Sequence, residues 1–202
     1  MCVELSTVNA AAAIDELGDV YTFAEARAAG VPERQIYELR DSGAVVSLGR
    51  GLYRRSDAPP ANLDFIEIAE RSAQATICLE TALAYHGFLD AISNATDIAI
   101  PRGSHRPGLR AAVRLHTFQV DTFDIGRELV DVGARRPLGI YNAERSIIDY
   151  VRLRHVEGSD QAWEALRRWL VGPGNKAGQL LRLAKQFPRA EPALRAALEV
   201  LL

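Results

Sequence analysis

The chain has 202 residues, 48% of them apolar and 25% charged, with a formal net charge of −2. That composition excludes a mostly disordered polypeptide, and the length suffices for one large or two small domains whose core needs no disulfide or metal. The near-neutral balance gives no global attraction to nucleic acid, so any basic surface has to be local.

Residues 3–16 are predicted to be helical, with Val3, Leu5, Val8, Ile14 and Leu17 on one side. Thr22, with Glu25 three residues on, has the capping-box spacing and starts a short helix over 23–29 that Gly30 ends. Pro32 suits the first turn of the next helix, predicted over 32–42 and stopped by Gly43. Two short helices around a tight glycine-containing turn make a helix-turn-helix. Ala44-Val45-Val46-Ser47-Leu48 and Leu52-Tyr53-Arg54-Arg55 then flank Gly49-Arg50-Gly51, the pattern of a β-hairpin. This order predicts a winged helix-turn-helix domain over 1–57.

On helix 32–42, Ile36 and Leu39 mark the core side, while Arg34, Tyr37, Glu38 and Asp41 lie opposite with Gln35 on the flank. Near the start of a recognition helix, Arg suits guanine edges and Gln adenine edges. Arg34, Gln35 and Tyr37 are therefore expected to read or touch DNA, and Arg50, Arg54 and Arg55 on the hairpin to grip its backbone. Glu38 and Asp41 repel phosphate, and residues 1–57 carry a net charge of −3. Winged helices also serve as protein-contact modules, so the two readings stand side by side.

The stretch Ser56-Asp57-Ala58-Pro59-Pro60-Ala61-Asn62 admits neither helix nor sheet and sets the boundary to a second domain over 63–202. There a helix is expected over about 63–74, with Leu63, Ile66, Ala69 and Ala73 inward, and another over 79–87. Asp97-Ile98-Ala99-Ile100 reads as a strand stopped by Pro101. Residues 113–118 alternate, with Val113, Leu115 and Thr117 on one face and Arg114, His116 and Phe118 on the other. Short strands follow near 129–132 and 138–141, then helices near 143–154, 160–170, 176–186 and 190–201. The predicted fold class is α+β and α-rich, a winged helix followed by an α+β domain with a helical C-terminal tail. Between Asp97 and Asp121 every charged side chain is basic. Arg102, Arg106, Arg110 and Arg114 are thus expected to form a surface for an anion or an acidic partner, the plainer alternative being a solvated basic loop. Residues 166–202 carry +5, which reads as the solvated face of amphipathic helices.

Gly30-Val31-Pro32-Glu33-Arg34-Gln35-Ile36-Tyr37-Glu38-Leu39 followed by Gly43 to Arg54 resembles the winged helix of AbiEi-type antitoxins. The likeness continues through Leu79-Glu80-Thr81-Ala82-Leu83-Ala84-Tyr85-His86-Gly87, Ile98-Ala99-Ile100-Pro101-Arg102 and Asn142-Ala143-Glu144-Arg145-Ser146-Ile147-Ile148-Asp149, covering roughly residues 20–155. The resemblance implies an antitoxin paired with a nucleotidyltransferase-like toxin, a winged helix that represses its own operon by binding operator DNA, and a second domain that counteracts the toxin. Palindromic operators suit a homodimer.

Signals for catalysis are sparse. His86, His105, His116 and His155 are scattered, no metal-binding spacing occurs, and no cofactor is expected. Neither Lys176 nor Lys185 has an acid two residues before it, as restriction-type nuclease chemistry needs. The stretch from Gly172 to Gly178 lacks Walker spacing. An atypical protein kinase that neutralises the toxin by phosphorylation stays as an alternative, for which Arg145, Ser146, Asp149 and Lys176 are the residues to inspect. A pure toxin-binding module is the other. Cys78 reads as core, two cysteines make no disulfide framework, and Met1-Cys2-Val3-Glu4 lacks the cationic start of a signal peptide. The uncharged stretches are too short for a membrane span. A cytoplasmic protein without a membrane partner is the expectation.

Overall fold

The computed structural model describes residues 12–90 and 93–201. The helix expected over 3–16 lies outside them, apart from a helical turn at 12–15. The chain divides into two compact units. The first gathers the chain up to Ala73 with Pro107–Ala111 and Asp131–Pro137, and the second holds Gln74–Arg106, Ala112–Val130 and the chain from Leu138.

The first unit is a winged helix. Strand β1 (Val20–Thr22) leads into α1 (Phe23–Ala28), then α2 (Glu33–Asp41), β2 (Val45–Gly49) and β3 (Leu52–Arg55). Thr22 and Glu25 close the expected capping box: the Thr22 hydroxyl accepts from the Glu25 amide at 3.2 Å, and the Thr22 amide donates to the Glu25 carboxylate at 2.7 Å. Gly30, at φ +86°, makes the left-handed turn into α2 that a side chain would resist. The strands form an antiparallel sheet in the order β1-β3-β2, with a register shift between Ser47 and Gly49. Strand β1 is three residues long and has no alternating signature of its own, so it was not expected.

Both faces of this sheet are covered. Tyr21, Val45 and Tyr53 pack with Ile36 and Leu39 of the helix-turn-helix on one side. Val20, Leu48 and Leu52 pack with Ile66 on the other. Ile66 belongs to α3 (Leu63–Arg71), capped by the Asn62 side chain, which accepts from the amides of Asp64 and Phe65. The sequence reading puts this helix at the head of the second domain; the contacts gather it with the first unit. Its apolar stripe also differs from expectation. Leu63 is exposed at 38%, whereas Glu67 and Glu70 are buried. Burying a carboxylate demands partners. Glu67 accepts the main-chain amides of Arg110 and Ala111 at 2.8 and 2.7 Å. Glu70 accepts the Arg135 amide at 2.7 Å and its guanidinium at 2.6 Å. Two carboxylates thus fasten both later excursions of the chain to the first unit.

The second unit is a mixed sheet with helices against it. Its strands are β4 (Thr76–Ile77), β5 (Thr96–Pro101), β6 (Val113–Phe118), β7 (Arg127–Val130) and β8 (Leu138–Tyr141), in the order β6-β5-β4-β8-β7. The β5/β6 and β4/β8 pairs are parallel, the others antiparallel. The helices are α4 (Leu79–Tyr85), α5 (Val120–Phe123), α6 (Ala143–Glu157), α7 (Ser159–Leu170), α8 (Ala177–Ala184) and α9 (Glu191–Leu201). Helix α6 is central, packing on α4, α7, α8 and α9. Its residues from Arg145 to Val151 are all buried, and one core runs from Leu79 and Leu83 through Tyr141 and Ile148 to Trp169 and Leu194. The fold is α+β and ends in helices. No helix among the described residues is long and apolar enough to cross a membrane.

Candidate nucleic-acid interface

Helix α2 buries Ile36 and Leu39 and turns its other side to solvent. Arg34 has 88% of its side chain exposed and pairs at 2.8 Å with Glu38, one turn on. Tyr37 is exposed and donates its hydroxyl to Glu33 at 3.1 Å, a bond that raises its pKa. The Arg40 guanidinium lies 5.0 Å from the Tyr37 ring and pairs with Asp41. Gln35 is half-buried on the flank and engaged within the fold. The exposed face therefore carries Arg34, Tyr37 and Arg40, each tied to an acid of its own helix. Such exposed pairs contribute little, so a phosphate or base edge can replace the acid at small cost. Arg40 was not among the expected DNA contacts. Its place one turn from Tyr37 and the exposed side of α2 were both readable in the periodicity.

The hairpin separates its three arginines. Arg50, at the turn, is exposed. Arg54 is buried at 7%, and its guanidinium donates to the Pro59 carbonyl, where no phosphate reaches it. Arg55 is ion-paired with Asp15 at 2.8 Å and with Asp57 at 2.6 Å. Strand alternation sends Arg54 to the side that α3 covers, which a reading of the hairpin alone takes for solvent. Two other arginines take their place. Arg71 of α3 donates to the carbonyl of Arg50, and Arg110 donates to the carbonyl of Ser47 at 3.0 Å. Gly49 runs so close to α3 that a Cβ there would meet a Glu67 carboxylate oxygen at 2.5 Å. The hairpin is thus held on one face, and its tip carries Arg50, Arg71 and Arg110.

The four arginines expected to form one basic surface do not act as one. Arg110 belongs to the first unit, at the hairpin. In the second unit Arg114 is neutralised, forking onto buried Asp97 at 2.8 and 2.7 Å and reaching Glu80 at 2.9 Å. His116, on the same face of β6 as expected, also meets Asp97, at 2.9 Å. The other two in the second unit, Arg102 and Arg106, are exposed and make no ion pair among the described residues. Arg145, Ser146 and Asp149 are fully buried and committed to the fold. Arg145 Nε donates to Asp149 at 2.8 Å, while its Nη1 donates to the carbonyls of Thr122 and Ile125, both at 2.6 Å. Ser146 donates to the Tyr141 carbonyl at 3.2 Å. Lys176, exposed, precedes α8. Arg145, Ser146 and Asp149 are core, closed to a nucleotide. Cys78 is core as expected, and burial pushes its thiol pKa up. His86 closes α4, and its Nε2 lies 2.8 Å from the Tyr141 carbonyl.

Among curated proteins none matches the chain. Residues 14–56, from the helical turn through the hairpin, match the AbiEi_4 family, described as "Transcriptional regulator, AbiEi antitoxin". The matched stretch ends where the hairpin ends, so the likeness to the AbiEi antitoxin family of transcriptional regulators covers the winged helix at the head of this chain.

Proposed function

We propose that the protein is the antitoxin of a toxin–antitoxin pair, that its winged helix binds operator DNA in the cytoplasm and represses its own operon, and that the second unit counteracts a nucleotidyltransferase-like toxin. One observation carries the DNA-binding part: the outward face of α2, with Arg34, Tyr37 and Arg40, in the same unit as a hairpin tip bearing Arg50, Arg71 and Arg110. Arg34, Gln35 and Tyr37 meet base edges, and the arginines at the hairpin tip meet phosphate. A homodimer matches a two-fold operator.

A band-shift titration on DNA from upstream of the operon tests this. Removing one phosphate contact lowers the slope of log K against log salt by about one. R50A/R71A is therefore expected to weaken binding and to flatten that slope by about two. R34A is expected to weaken binding with a smaller change in slope. Full affinity in R34A/R50A/R71A would overturn the assignment. Growth rescue on co-expression with the neighbouring toxin gene, retained in the same variant, would separate toxin neutralisation from repression.

A further inference from the structure

The second unit holds a cleft of about 810 Å³ that the DNA-binding reading does not use. Three arginines reach it from separate stretches of chain: Arg102 just past β5, Arg152 from α6, and Arg189 from the connection between α8 and α9. No acidic side chain lines it among the described residues. Arg102 and Arg189 are exposed and make no ion pair among the described residues. Arg152 is held in place: its Nη2 pairs with buried Asp149 at 2.9 Å, and its guanidinium lies 5.0 Å from the Phe118 ring. Its Nε has no hydrogen-bond partner among the described residues, which leaves part of its donor capacity unused there. Leu153 and the buried rings of Phe118 and Phe187 supply an apolar wall.

The volume is that of a small-ligand site, and polar and apolar side chains share its lining about equally. Guanidinium forks match carboxylate and phosphate alike. Three of them around one cleft favour phosphate, which brings nearly two charges and three acceptor oxygens where a carboxylate brings one charge and two oxygens. We propose that this cleft binds a small phosphorylated ligand, its phosphate held by Arg102, Arg152 and Arg189 and its less polar body resting against Leu153, Phe118 and Phe187. The site stands independently of operator binding.

Calorimetric titration of the full chain with adenosine 5′-monophosphate tests it. Saturable one-to-one binding is expected, displaced by pyrophosphate and not reproduced by adenosine. Each charge-assisted fork accounts for about a tenfold change in affinity, so R102A/R189A is expected to bind about a hundredfold more weakly. Its thermal midpoint is expected to stay put, because both side chains are exposed and unpaired. R102K/R189K, which keeps the charge and loses the fork, is expected to fall between. The proposal is overturned by absence of binding at millimolar nucleotide, by full affinity in the alanine or lysine pair, or by equal binding of adenosine. Binding of an oligothymidylate alone would also overturn it, assigning the cleft to single-stranded nucleic acid.

Discussion

The two units satisfy their buried charge by different means. In the first, beside Arg54, two buried carboxylates, Glu67 and Glu70, take the amides of residues far along the chain as partners. In the second, a cation, Arg145, is buried as fully as the carboxylates Asp97 and Asp149. Arg145 sits within 5.7 Å of the Phe118, Tyr141 and Phe187 rings, with Asp149 and two carbonyls as acceptors. A carboxylate offers two compact oxygens and can be satisfied by two neighbouring amides, which makes it a fastener for loops. A guanidinium has five N–H groups and a flat apolar face, so it needs acceptors in several directions and rings above it. It suits the middle of a core. The Arg145 Nη2 still lacks a partner among the described residues, as expected when five donors meet so few acceptors.

This contrast can be broken by substitution, and the largest effect belongs to the cation. Arg145→Ala leaves Asp149 buried with only Arg152 beside it, and is expected to cost about 3–5 kcal/mol. R145L/D149L, which removes both charges, is expected to cost less than the single change. Both tryptophans, Trp163 and Trp169, lie in the second unit, so urea titration followed by their fluorescence isolates this effect. A double variant weaker than the single one would refute the account of Arg145.

Asp97 comes next. Burial alone would raise its pKa, but His116 and Arg114 bind its charged form and hold it below the usual carboxylate range. The stability these bonds supply is therefore full above about pH 4 and is lost as the pH falls below that range. Asp97→Asn is expected to cost about 2–3 kcal/mol at neutral pH, with the gap to wild type closing in acid. The same fluorescence titration across pH checks the sign. The smallest effect falls in the first unit, where Glu67→Gln keeps one acceptor and turns a donor toward the second amide, an expected cost of about 1–2 kcal/mol. Hydrogen exchange at the amides of Arg110 and Ala111 is expected to speed up while the Trp signal stays unchanged. Unchanged exchange at both amides would remove the fastening role of Glu67.

Local chemistry made some elements readable and left others silent. The capping box at Thr22, the proline start and apolar side of α2, and the glycine-flanked hairpin all declare themselves within a few residues, and the structure follows them. Strand β4, two residues long, and helix α5, four residues long, carry too little pattern to be seen. The fate of Arg54 and Glu67 was equally hidden, because both depend on what covers the sheet from outside the matched stretch. A glutamate that fastens a loop and one that faces water, such as Glu38, look alike in a one-dimensional pattern. Only the spatial neighbours separate them. The outward side of α2 was legible because exposure there follows from the helix period itself, while the regrouping of Arg110 with the hairpin required the tertiary path.

That path bears on how such proteins diversify. The first unit is assembled from three non-contiguous stretches, and the family match ends before α3, which covers one face of its sheet. A single genetic crossover near Pro59 would graft a new winged helix without the helix and two return loops that complete it. Val20, Leu48 and Leu52 would then meet a foreign surface. Working chimaeras should therefore carry the winged helix together with residues up to Ala73 and both loops.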